Sequence, residues 1–96
     1  MFVVVLTYTK PLAEVDIHLE AHRAWLHGQY QAGVFIASGR QVPPGGGVIL
    51  ARAESLEALD QVLALDPFNS HGVANYQVIQ FIPNLTHPDF ASLKEA

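Results

Sequence analysis

The opening segment is apolar on both alternating sides, with Phe2, Val4, Leu6 and Tyr8 on one and Val3 and Val5 on the other. An alternation filled on both sides predicts a central strand covered above and below. Thr9-Lys10-Pro11 interrupts it. The period then lengthens: Val15, Leu19, His22, Leu26 and Tyr30 recur at steps of four, three, four and four and share one helical face. Asp16 is the expected N-cap and Gly33 the expected left-handed terminator, so one helix is predicted from about Val15 to Ala32. On that helix Trp25 falls beside His18 and Gln29, at a rim or interface.

Val34 to Ala37 and Gly47 to Arg52 read as the second and third strands. The intervening Ser38 to Gly46 is too rich in Pro and Gly for regular structure and is expected to be a hairpin loop. Ser55 suits the N-cap of a second helix that turns Leu56, Leu59, Val62 and Leu63 inward, and Pro67 should end it. Asn75 to Ile82 reads as the fourth strand, and residues 83–96 as a tail with one helical turn near Asp89 to Lys94. The order βαββαβ predicts an α+β, ferredoxin-like fold: a four-stranded antiparallel sheet with two helices on one face. The other face stays open. Val3 and Val5 in the first strand, and apolar residues on both sides of the fourth, lead us to expect a homodimer through that face.

Composition points the same way. A 96-residue chain forms one domain, 1–96, and folding alone removes only roughly 60–65% of its unfolded surface from water. With 50% hydrophobic and 15% charged residues, some apolar surface needs a second copy to cover it. The net charge is −4, and the cations Lys10, Arg23, Arg40, Arg52 and Lys94 are scattered singly, which argues against a nucleic-acid partner. The chain has no cysteine, so disulfides and thiolate metal sites are excluded and a reducing compartment fits. No secretory signal and no run of ~20 apolar residues is present, so a cytoplasmic location without a membrane partner is expected.

His22 is the residue that needs explaining, because it places an imidazole on an apolar stripe between Leu19 and Leu26. A buried imidazole needs partners for both nitrogens, and a core histidine bonded to a backbone carbonyl accounts for it as well as a catalytic one does. Asp66 sits at the expected C-terminal end of the second helix, where the macrodipole disfavours a carboxylate. A residue set against a local rule suggests a specific partner, although Asp-Pro also starts many turns. Two helices side by side on a sheet can bring His22 and Asp66 together. The carboxylate would then orient the ring and leave the other nitrogen as a general base. Ser38 and Gly39 can supply a hydroxyl and backbone amides to an oxyanion, or simply open a turn. His71, just beyond Asp66, is a candidate for the pocket wall. His18 and His22 have zinc-ligand spacing, but Glu20 is one place too late for the metalloprotease motif, so no metal is expected. Gly45-Gly46-Gly47 precedes a strand, which fails the structural test for a phosphate loop.

Glu20-Ala21-His22-Arg23-Ala24-Trp25-Leu26, Gly33-Val34-Phe35-Ile36-Ala37-Ser38-Gly39, Ala64-Leu65-Asp66-Pro67-Phe68 and Gly72-Val73 together resemble the YciI-like (YCII-related) proteins. The resemblance covers about Phe2 to Pro83. It implies a dimeric ferredoxin-like fold of the dimeric α+β barrel type, with His22 and Asp66 on the positions of the family's active-site pair. It also implies Ser38 beside the pocket, with Gly39 and Phe68 among the substrate-binding residues. Arg40 stands where the family commonly has proline and puts an unexpected cation by the cavity. One branch of the family resembles a cofactor-independent dehydrochlorinase of chlorinated hydroxyquinols, and relatives include muconolactone isomerase-type enzymes. The implied function is a cofactor-free lyase or isomerase acting on a small, oxygenated cyclic substrate. The alternatives are a non-catalytic binding or interaction module with a structural His–Asp pair, and a monooxygenase-like relative of the same barrel class.

Overall fold

The computed structural model describes residues 1–96. Its strands are β1 (Phe2–Tyr8), β2 (Phe35–Arg40), β3 (Gly46–Ala51) and β4 (Ala74–Gln80), and they form one antiparallel sheet in the order β2-β3-β1-β4. The helical segments are α1 (Leu12–Ile17), α2 (Leu19–Gln31), α3 (Leu56–Ala64) and α4 (Pro67–Ser70), with a 3-10 segment over Pro88–Leu93. This is the expected α+β, ferredoxin-like arrangement. No helix is long and apolar enough to cross a membrane.

The period-two pattern of β1 sorts its side chains between two environments. Phe2, Val4 and Leu6 are buried under the helices. They pack in one core cluster with Trp25 of α2, Leu59 and Leu63 of α3, and Phe68 of α4. Val3 and Val5 face the other way. Their ladder partners there are Leu50 and Ile79 for Val3, and Val48 and Gln77 for Val5. Val48, Ile79 and Phe81 are exposed large apolar residues at this face or its edge.

Several expectations change in detail. The first helix begins earlier, at Leu12 after Pro11, so Asp16 lies inside α1 and caps nothing. It also breaks at His18, where the backbone leaves the helical region and His18 N–H donates to Val15 O, three residues back. Val15, Asp16, Ile17 and His18 are all modest helix formers, so little opposes this tightening. The far end is as the glycine predicts. Gly33 has φ +77°, Val34 N–H donates to Gln29 O, and Gly33 N–H donates to Tyr30 O, the paired bonds of a Schellman motif. Trp25 is an interior residue, not a rim one: its ring packs edge-on against Phe35 and its Nε1–H donates to Val62 O at 3.1 Å. Ser55 caps α3 as expected, accepting from Ala58 N–H.

The predicted hairpin loop shrinks. Ser38, Gly39 and Arg40 belong to β2, and only Gln41 to Gly45 connect the strands. Gln41 supplies hydrogen bonds that a longer loop would lack, with its N–H on Gly46 O and its Nε2 on Leu6 O at 2.9 Å. Gly46 allows β3 to come against β1, because a Cβ there would lie 1.8 Å from Leu6 O. β4 begins one residue before the expected Asn75 and stops at Gln80. The last residues return to the start of the chain: the Met1 amino group donates to Ala96 O at 2.8 Å and Glu95 N–H to Pro83 O.

Truncation in α3 and at its C-cap should separate core from surface. Leu59→Ala, at a side chain with no exposure, is expected to cost about 2–5 kcal/mol in urea unfolding. Leu65→Ala, at the C-cap just past the end of α3 and 68% exposed, should change stability by less than about 0.5 kcal/mol.

Candidate active site

A cavity of about 160 Å³ opens between α2 and the helix-facing side of β1, β2 and β3. Leu6, Leu19, Leu26, Ile49 and Phe68 give it apolar walls, and His22, Arg23, Ser38, Arg40 and Tyr8 bring the polar groups.

Strict alternation from Phe35 would turn Ser38 and Arg40 away from this space. A bulge in β2 reverses that. Phe35 pairs with Ala51, yet Ala37 pairs with Leu50, so Ile36 is the extra residue and the alternation shifts by one. Beyond the bulge Ser38 opposes buried Ile49 and Arg40 opposes Gly47, which places both on the helix-facing side. Tyr30 of α2 reaches Ser38 across this edge, with the two hydroxyls 2.6 Å apart.

Asp66 does not end the second helix as the sequence suggested. α3 stops at Ala64, and Asp66 is the N-cap of α4, with Pro67 at the first helical position. Its carboxylate therefore meets the positive end of a helix, and Oδ1 accepts from Phe68 N–H at 3.0 Å. The same Oδ1 lies 2.7 Å from His22 Nδ1, and Oδ2 accepts from the Tyr76 hydroxyl at 2.5 Å. Asp66 is wholly buried, so these three donors take the place of its water shell. The carboxylate accepts throughout, so the proton in the 2.7 Å contact belongs to Nδ1. In neutral His22 that leaves the lone pair on Nε2, which has no protein partner, and the residue lines the cavity. Phe68 stacks on the imidazole with centroids 3.9 Å apart and planes within 6°, which holds the ring plane.

Among the other predicted site residues, Gly39, Arg40 and Phe68 line the cavity with Ser38. His71 does not. It stacks on His18 at 3.9 Å, in the turn after α4. No cluster of three metal-ligating side chains is present. Sequence reasoning missed Tyr8 and Tyr76. Burial raises the pKa of both above the usual tyrosine value; Asp16 and then Asp66 add to the effect at Tyr8, and the hydrogen bond to Asp66 adds to it at Tyr76. Both remain hydroxyl donors at neutral pH. Their only sequence signal was position: each falls on the helix-facing side of its strand, Tyr8 in register with Leu6, and Tyr76 with Val78.

The fold and this pocket define a small ferredoxin-like α+β domain in which His22, backed by the buried Asp66, borders a cavity of about 160 Å³. The chain belongs to the YCII-related domain family, whose model matches residues 1–82. Its structure is similar to that of 5-chloro-2-hydroxyhydroquinone dehydrochlorinase from Burkholderia phenoliruptrix AC1100, solved in complex with 2,5-dihydroxybenzoquinone. The TM-score is 0.67 at 17% sequence identity, over 94% of this chain and 98% of that one, and this likeness carries the fold alone. No curated protein matches the sequence.

Removing the Tyr76 hydroxyl leaves one oxygen of a buried carboxylate short of a donor. Tyr76→Phe should therefore cost about 1–3 kcal/mol at neutral pH. Above pH ~10 an unfolded tyrosine releases the proton that folded Tyr76 keeps, so the folded state holds more protons and stability falls as pH rises. Urea titrations on both sides of that pH should show a shallower alkaline loss in Tyr76→Phe than in the parent.

Proposed function

We propose that this domain is a cofactor-independent lyase or isomerase in which His22 is the general base and Asp66 its positioning partner. The observation that carries this is the 2.7 Å contact between His22 Nδ1 and a fully buried Asp66, with His22 bordering the cavity. Such a pair fixes the tautomer and stabilises the positive charge that appears on the ring when Nε2 takes a proton. The cavity, about 160 Å³, is close to the ~150 Å³ known to hold benzene, so it suits one six-membered ring. A proton taken by Nε2 leaves its electron pair to a ring oxygen, or to expulsion of a leaving group from the neighbouring carbon. Ser38 Oγ–H and the Gly39 backbone stand on the cavity wall to meet negative charge on that oxygen. The dehydrochlorinase that shares the fold makes chlorinated hydroxyquinols the first compounds to assay.

With 5-chloro-2-hydroxyhydroquinone or another oxygenated ring as substrate, His22→Ala should lower kcat by at least about 10²-fold while circular dichroism shows a folded chain. Turnover equal to that of the parent would remove His22 as base. A stability loss without any catalytic difference would favour a non-catalytic binding module.

We also propose that the chain works as a homodimer through the open sheet face. Leu50, Val3 and Ile79 form one apolar row across it, and Val48 and Val5 sit in the next. Ile79 is half exposed, and Val48 and Phe81 are a little over a third exposed, so this face carries apolar surface that a second copy would cover. Light scattering should give twice the chain mass of 10.5 kDa, and Ile79→Glu should shift the population to single chains.

A further inference from the structure

The charged residues that line the cavity are all basic. The chain carries nine Asp and Glu against five Lys and Arg. Yet Arg23 and Arg40 both border the cavity, and no carboxylate does. Arg23 and Arg40 are exposed, and neither side chain forms an ion pair or a hydrogen bond within the protein, whereas Arg52, remote from the cavity, bonds Gly33 O. The β2 bulge is what turns Arg40 to this side, and Arg23 directly follows His22 on α2.

We infer that the cavity selects a single-ring compound bearing an anionic oxygen, with Arg40 and Arg23 holding the anion and the ring lying against Phe68 and Leu26. This rests on the reading above that the cavity is the substrate site, and it names the substrate class. A guanidinium binds a carboxylate or ring oxyanion through paired, charge-assisted hydrogen bonds. Two of them at one mouth create a local positive field in a chain whose net charge is negative, which draws anions to this spot and not to the rest of the surface. The apolar walls discriminate in the other direction. They favour a ring over a bare, strongly hydrated anion of equal or greater charge.

Binding of benzoate, benzyl alcohol and inorganic phosphate, followed by NMR signals of the His22 imidazole and the Ser38 to Arg40 amides, tests the inference. Benzoate should bind about tenfold more tightly than either benzyl alcohol or phosphate at low ionic strength. In Arg40→Gln and in Arg23→Gln the advantage over benzyl alcohol should fall to about twofold or less, with benzyl alcohol binding unchanged. His22→Ala should keep the benzoate preference. Equal binding of benzoate and benzyl alcohol, phosphate binding as tight as benzoate, or a preference that survives both arginine variants would each overturn it. If the ring compounds bind without preference, only this inference falls. If none of the three probes perturbs the cavity signals, the substrate site itself falls with it.

Discussion

A single carboxylate with no access to water organises this domain. Asp66 lies in the core, where an unpaired charge would be strongly destabilising. Its three donors come from the imidazole of α2, the first turn of α4 and the Tyr76 hydroxyl of β4. Each donor fixes one element relative to the others. The compensation that makes a buried charge tolerable thus also sets the position of His22 to within a hydrogen bond. Phe68 contributes twice, through its backbone N–H to Asp66 and through its ring stacked on the imidazole. A side chain held by a bond at one nitrogen and a ring on its face has little freedom left to lose, as the proposed role of base requires.

The cavity has a separate origin. Two departures from regularity in the sheet shape its wall. Gly46 lets β3 approach β1 where any side chain would collide with Leu6 O, and the bulge at Ile36 changes which residues of β2 face the helices. Before the bulge the helix-facing residue is buried Phe35; beyond it are Ser38 and Arg40. One inserted residue turns the end of an edge strand from core packing to cavity wall. The cavity wall is therefore assembled from two independent devices: a buried polar network that fixes His22, and a backbone irregularity that delivers Ser38 and Arg40.

The two faces of the sheet divide the molecule's roles. The helix-facing side holds the core and the cavity, while the opposite side presents valine, leucine and isoleucine in rows set by the ladder register. β1 lies between β3 and β4, so its double-sided apolar pattern serves both faces at once. Association through the open face would leave the cavity side free for small molecules.

The sequence by itself determined the element order, the central place of β1, the Gly33 terminator, the Ser55 cap and the stripe that carries His22. These follow from local rules of periodicity, capping and backbone freedom, and each is written in residues close together in the chain. Local spacing alone makes Asp66 a misplaced carboxylate at a helix C-terminus, but the four residues after it form a new helical turn and make it a favoured cap. Only the tertiary structure decided that this carboxylate meets the imidazole 44 residues away, and that Tyr76 joins them. It also decided that Trp25 is interior and that Ser38 and Arg40 face the cavity while His71 stands outside it. Those outcomes depend on strand register, a one-residue bulge and the packing of helices across the sheet. Residue spacing along one chain does not encode them locally, because they are set by which distant surfaces meet.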